Sequence, residues 1–179
     1  MKVRTATLED AGRLLEIYSY YVTDTAVSFE YEPPSIGEFR ERMEKTLSRY
    51  PYLVIEEDGI VQGYAYAGVF KQRAAYDRCC EVTVYVDRNA RRRGFGRKLY
   101  EALEEELGKR GFLNLYACVA VPIGEDEYLT CDSELFHLKT GYEKVGEFHR
   151  CGFKFGRWYN MIWMEKMLEK QGVLSDNNS

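Results

Sequence analysis

Two hydrophobic periods alternate along this chain, and the switches between them outline its elements. Lys2 to Ala6 alternates polar and apolar, the period of a half-buried strand. From Thr7 the period lengthens. Ala11, Leu14, Leu15, Tyr18 and Val22 share one helical face, with Thr7 as N-cap and Glu9 and Asp10 in the first turn. Thr23-Asp24-Thr25 ends that helix. Ser28 to Pro34 is extended, because a residue before proline is driven out of the helical region. Ser35-Ile36-Gly37-Glu38 is a capping box, and Phe39, Met43 and Leu47 form the stripe of a second helix. Tyr52 to Ile55 and Ile60 to Phe70 are strands joined across Asp58-Gly59, a hairpin signal; Gly63 and Gly68 mark close approach or bulging. A loop follows from Lys71 to Cys79.

Val82 to Val86 is β-branched and aromatic and predicts a strand. The polar, basic stretch Asp87 to Arg93 leads to Gly94-Phe95-Gly96. There a helix opens, with Leu99, Leu103 and Leu107 four residues apart and Gly111 as its stop. Asn114 to Val121 is a fifth strand. Pro122 to Thr130 is polar and acidic. Asp132 or Ser133 caps a short helix through Phe136 and His137 that ends at Gly141. Tyr142 to Arg150 and Trp158 to Lys166 read as a last pair of strands around residues 151–156. The tail from about Gly172 reads as frayed. The order β-α-α-β-β-β-α-β-α-β-β fits an α/β protein with a central mixed, twisted sheet of about seven strands and helices on both faces. One domain is expected over residues 1–171, with a flexible tail at 172–179.

The composition narrows the function classes. With 179 residues, 45% hydrophobic and 15% aromatic, the chain has ample material for one core. The net charge of −4 disfavours a general nucleic-acid binder, so the basic cluster near residues 88–98 suits a small anion better than a duplex. No apolar run approaches the roughly 20 residues of a membrane span, and the N-terminus has no signal-peptide pattern. The five cysteines (79, 80, 118, 131 and 151) form no C-x-x-C, and there are two histidines, so disulfide and metal frameworks score poorly. Reduced thiols in a cytoplasmic protein are expected, with no metal.

Strand, glycine-bearing loop and helix over Val82–Leu107 make an anion site. The first N–H groups of a helix lack partners and carry the positive end of its dipole, and a loop with little side chain lets a phosphate reach them. Arg91, Arg92, Arg93, Arg97 and Lys98 add charge around the mouth. The backbone from Arg92 to Arg97, through Gly94, Phe95 and Gly96, suits a pyrophosphate. The spacing is neither that of a Walker loop nor that of a Rossmann turn. On spacing alone, a solvated basic turn at a helix start fits equally.

Arg91-x-x-Gly94-x-Gly96 after Tyr85-Val86 resembles the acyl-CoA signature of the GNAT N-acetyltransferases. Several separated stretches are similar to the phosphinothricin (methionine sulfoximine) acetyltransferase branch. They are Ile17-Tyr18 to Phe29-Glu30, Lys71-x-Arg73-x-Ala75-Tyr76, Glu81-x-Thr83-Val84-Tyr85-Val86, Phe136-His137-x-x-x-Gly141-Tyr142 and Gly152-Phe153-Lys154-x-Gly156-x-Trp158. The resemblance covers nearly the whole chain. It implies a GNAT-like domain and acetyl-CoA as co-substrate, with a pantetheine arm along Val84-Tyr85-Val86 and a backbone N–H there on the thioester oxygen. It implies Glu81 as general base; taken alone, Glu81 is a solvated strand-end carboxylate. It places His137 where many members of the family carry a tyrosine acid; a structural histidine at a helix end fits as well.

The chain departs from the family after the fifth strand. The usual Pro-Asn is replaced, residues 123–130 look inserted, and Thr130 falls where the CoA-holding asparagine would, close to Ser133. Tyr128 in the insertion is a candidate to approach the thiol. The branch acts on small amino acids, whose carboxylate needs a cationic clamp; Lys71 and Arg73, with Tyr76, are candidates, and Phe29 and Trp158 candidate walls. Each has a plainer alternative, loop charge for Lys71 and Arg73 and core for Phe29 and Trp158. The resemblance also implies a homodimer. Protein or peptide acetylation, and acyl-CoA sensing without turnover, stand as alternatives.

Overall fold

The computed structural model describes residues 1–168. The end of the expected domain at residue 171 and the tail at 172–179 lie outside the described residues. Strands β1 (Lys2–Thr5), β2 (Tyr52–Glu57), β3 (Ile60–Val69), β4 (Cys79–Val86), β5 (Asn114–Val121), β6 (Glu143–Lys154) and β7 (Arg157–Met167) form one sheet in the order β1-β2-β3-β4-β5-β7-β6. Every neighbouring pair is antiparallel except β4 and β5. Helices α1 (Ala11–Thr23) and α2 (Ile36–Leu47) bury Leu14, Ile17, Phe39 and Met43 against Val54 and Tyr64 on one face of the sheet. On the other face, α3 (Phe95–Lys109) buries Leu99, Leu103 and Leu107 among Leu53, Ile55, Leu115 and Ile162. Helix α4 (Asp132–Lys139) lies beside it, with Phe136 at the edge of that core. The four-residue spacing of the leucines makes this burial possible, since residues one turn apart share a face. No helix among the described residues is long and apolar enough to cross a membrane.

Local signals in the sequence are met by matching geometry. The Ser35 hydroxyl accepts from the Glu38 amide at 3.3 Å, and the Glu38 carboxylate accepts from the Ser35 amide at 2.8 Å, the reciprocal box that starts α2. Asp58 and Gly59 both take positive φ, 54° and 78°, as a two-residue hairpin turn requires. Among the boundaries that differ from the sequence expectation, β4 begins at Cys79 and Cys131 caps α4, and two further ones have a clear physical reason. Thr7 precedes a short 3-10 turn at Leu8–Asp10, and α1 itself begins at Ala11, because Arg4 and the Thr7 amide fix the Asp10 carboxylate at 2.7–2.8 Å. Residues 151–156 are not a loop. β6 runs on to Lys154 and turns only at Phe155-Gly156, with φ of 50° and 73°. A bulge between Phe148 and Gly152, with Arg150 at φ 50°, keeps the strand going. Gly152 is there for space, since a Cβ on it would stand 2.3 Å from the Phe29 ring.

Candidate active site

The sheet splits at its centre. β4 and β5 pair only at Cys79↔Asn114, Cys80↔Leu115 and Glu81↔Tyr116, and beyond that point both strands continue unpaired with each other. The Asp87 amide donates to the Gln62 carbonyl at 2.8 Å, which fixes the alternation along the β3–β4 ladder. The main-chain groups of Thr83 and Tyr85 therefore serve β3, and those of Val84 and Val86 turn to the gap. The Val86 carbonyl accepts from the Tyr21 hydroxyl at 2.5 Å. The fork thus presents a short run of strand backbone along which an extended chain can lie.

At the mouth of the fork stands the start of α3. Gly94 caps it at φ 84°, and Arg92, two residues earlier, is at φ 62°. A side chain at Gly94 would be strained, and left-handed residues in such a turn aim successive amides into one concavity. The cleft holds about 570 Å³ and is lined by Gly94, Gly96, Arg91, Arg92, Arg97, Thr130 and Ser133, with Tyr21, Val27 and Phe136 beside them. Gly96 has a packing reason to be small: a Cβ there would meet Phe136 at 3.2 Å. The arginines divide. Arg91 lies over the Tyr20 and Tyr21 rings at 5.5 and 5.2 Å, and Arg97 pairs with Glu101 at 2.8 Å while lining the cleft. Arg93 is drawn away, pairing with Glu57 and covering the Phe95 ring at 5.0 Å.

Deeper in, a chamber of about 60 Å³ closes the fork. It shares Val27, Val84 and Ser133 with the outer cleft, so the two form one passage. Glu81 sits where the strands part, half-buried, and burial raises its pKa against the opposing pull of the Lys71 ammonium. A carboxylate held toward neutrality but near a cation is suited to accept a proton. Lys71 lies over Phe70 at 5.1 Å and Trp163 at 5.9 Å, while Arg73 is exposed in the loop. Tyr76 packs at the edge of Phe70, 5.9 Å between centroids.

Four expected residues are placed differently from a simple active-site list. His137 is 4% exposed. Its Nδ1–H donates to the Ser133 carbonyl at 2.7 Å, and its Nε2 accepts from the Tyr100 hydroxyl at 3.0 Å. Burial lowers its pKa to about 4, so the ring is neutral at pH 7 with both nitrogens engaged. Tyr128 is stacked between Phe155 at 4.2 Å and the Arg157 guanidinium at 5.3 Å, outside the linings of cleft and chamber. Trp158 packs on Phe153 at 5.0 Å, near the hairpin tip. Phe29 lies over Gly152 and beside Tyr159, 6.2 Å between centroids. The insertion is a folded turn: Asp126 accepts from the Tyr128 and Leu129 amides, the Tyr159 hydroxyl and Arg157. Its Tyr128 carbonyl accepts from the Ala26 amide at 3.0 Å, next to Val27.

Sequence reasoning missed several groups around the fork. The aromatic wall beside Glu81 is Phe70, Tyr116 and Trp163, with Phe70 and Tyr116 stacked at 4.1 Å. Strand alternation puts Tyr116 and Trp163 on the Glu81 face, and that much was available in the sequence. Lys154 was quoted only as part of a pattern. Its buried ammonium donates to the carbonyls of Val22, Thr25 and Ser28 at 2.7, 3.0 and 2.6 Å, ending α1 and holding the loop that carries Val27. A lysine amid apolar strand residues was the available signal.

A split parallel pair at the centre of a seven-stranded sheet, with a glycine-capped helix N-terminus at its mouth, defines an acyl-CoA-type acetyltransferase fold. Residues 3–163 match the family described as the acetyltransferase (GNAT) domain, and the chain belongs to that family. Among individual relatives, it is 32% identical to the phosphinothricin N-acetyltransferase of Streptomyces viridochromogenes over 94% of this chain and 88% of that one. It is 29% identical to the L-methionine sulfoximine/L-methionine sulfone acetyltransferase of Salmonella typhimurium over 97% and 98% of the two chains. Among solved structures, a phosphinothricin acetyltransferase from Sinorhizobium meliloti in complex with acetyl-CoA superposes with a TM-score of 0.85 at 30% identity, covering 98% of this chain and 96% of that one.

Proposed function

We propose that the chain transfers an acetyl group from acetyl-CoA to the primary amine of a small, amino-acid-like acceptor by direct attack, with Glu81 as general base. The observation that carries this function is the fork: a phosphate-sized cradle at one end, exposed strand backbone along the middle, and a half-buried carboxylate where the strands meet. The residues present fit the co-substrate. The α3 N–H groups and Arg97 hold the pyrophosphate, the Val84 and Val86 backbone takes the pantetheine arm as an added strand, and Thr130 and Ser133 form the far wall. Acetyl-CoA supplies an activated thioester. Glu81 takes the proton that the acceptor amine must lose, directly or through a water. Lys71 and Arg73 hold the acceptor carboxylate, and Tyr76 borders its side chain. His137 fixes the Ser133 end of α4, because a neutral ring whose only N–H serves a carbonyl has no proton to donate. Two copies meet through the hairpin side of the sheet, and the free thiols suit the cytoplasm.

The test is release of CoA thiol with a panel of amino acids, methionine sulfone, methionine sulfoximine, phosphinothricin and short peptides. A small amino acid or analogue is expected to be acetylated, with peptides inert. Glu81→Gln should lower kcat/KM by roughly 100-fold or more, most strongly below the amine pKa. An unchanged pH–rate profile in that variant removes Glu81 as the base.

A further inference from the structure

The passage through the fork ends in a wall, and its position bears on which acyl groups the protein accepts. The inner chamber is bounded on the α3 side by Tyr100 and His137, and along its flanks by Val82, Val84, Ala117 and Val119. Tyr100 is 1% exposed. Its hydroxyl donates to His137 Nε2 at 3.0 Å, and its ring is packed between Phe136 at 5.3 Å and Tyr142 at 5.7 Å. A ring held on these sides and tied at its tip cannot swing away without breaking a buried hydrogen bond. The chamber's volume is about 60 Å³, small beside the 570 Å³ of the outer cleft. That is room for only a few heavy atoms, the scale of a short acyl group.

We propose that Tyr100, anchored by His137, is the gate that limits the donor to short acyl-CoA thioesters, admitting acetyl and propionyl and excluding butyryl and longer chains. This rests on the function proposed above for the same fork, and it adds a specificity-determining residue and a donor class. The gate is steric: the Tyr100 ring fills the space that a third and fourth acyl carbon would need, and a well-packed core accommodates extra methylenes poorly.

The experiment measures acetyl-, propionyl-, butyryl- and hexanoyl-CoA as donors with one fixed acceptor, and in parallel their affinities by displacement of a fluorescent CoA. In the wild type, kcat/KM is expected to fall roughly tenfold or more from acetyl to butyryl, since one misplaced methylene in an apolar pocket is worth about 10–200-fold. Tyr100→Leu shortens the wall and should raise the butyryl-to-acetyl ratio about tenfold, in affinity as well as in turnover. Tyr100→Phe keeps the ring but removes its tie to His137, and should raise the ratio less than Tyr100→Leu does, whatever it does to stability. Should Tyr100→Leu fail to fold, Ala117→Val tests the chamber from the opposite side, and propionyl should then be lost before acetyl. A flat wild-type profile through hexanoyl, or an unchanged ratio in a folded Tyr100→Leu, overturns the gate and leaves acyl transfer standing. Failure of every thioester to bind overturns both proposals.

Discussion

At the scale of the residue, His137 shows how position and role separate. Its folded pKa of about 4 lies below the ordinary 6.5 because burial penalises the charged ring. As pH falls through 6.5, the unfolded chain takes up a proton that the folded chain refuses, so the contribution is destabilising in acid. It grows down to about pH 4 and amounts to ~3 kcal/mol. His137→Gln removes that titration and leaves the Tyr100 hydroxyl short of a partner, a cost of about 1–3 kcal/mol at every pH. Urea unfolding at pH 4.5 and 7.5 should show a smaller acid loss in the variant than in the wild type. Equal losses would mean that the ring titrates normally. The sequence placed His137 on α4 near the fork. It could not show that Ser133 and Tyr100 occupy both nitrogens, because those contacts are set by how α3 and α4 pack. The face that Glu81 occupies was legible from its place in the strand pattern; its burial depends on neighbours from β3, β5 and β7.

At the scale of the element, the glycine loop and the last hairpin were readable, and the length of the hairpin's strands was not. Gly94 and Gly96 stood out by spacing, and the structure gives each its own reason: left-handed backbone at Gly94 and contact with Phe136 at Gly96. Gly94→Asp with Gly96→Asp puts carboxylates where phosphate is expected, and should weaken CoA binding by roughly 100-fold or more in calorimetry. Gly96→Ala asks Phe136 to move by a few tenths of an ångström and should cost less than about tenfold. Unchanged affinity in a folded double variant would move the phosphate site elsewhere. Residues 151–154 read from the pattern as lying between the strands, whereas they continue β6, where Gly152 makes room for Phe29 and Lys154 reaches across to α1. Lys154→Met strips three carbonyls of their shared donor and should cost about 2–4 kcal/mol by denaturant melt. It should also speed amide exchange at Val27 and Ser28. Protection of that loop equal to the wild type would show that Lys154 is not what holds it.

At the scale of the molecule, the number and order of elements followed from periodicity, while the lateral order β5-β7-β6 and the fork did not. Small apolar residues recur at every second position along β4 (Val82, Val84, Val86) and β5 (Ala117, Val119, Val121) whether or not the strands stay paired, so their parting leaves no mark in the pattern. Coverage of the sheet is likewise a property of the whole. On the face carrying α1 and α2, the two helices reach only the β1–β4 side, and Cys118 and Phe148 remain exposed on β5 and β6, the latter at 54%. Phe153 and Trp158, cross-strand partners at 45% and 52% exposure, lie on the opposite face of the same hairpin. Strand β6 is the sheet edge, but its two bulges and its charges at Glu143, Lys144, Glu147 and Arg150 discourage edge-to-edge strand addition. The proposed pairing of two copies uses side chains on the face that carries Cys118 and Phe148. The dimer proposed above should appear in light scattering at micromolar concentration as twice the 20.9 kDa chain mass. Phe148→Asp, which puts a charge on that face, should shift it to the single-chain mass while circular dichroism stays unchanged. A wild-type mass of one chain across the concentration range would leave the hairpin surface to another partner, and a Phe148→Asp protein that stays double would place the contact on a different face.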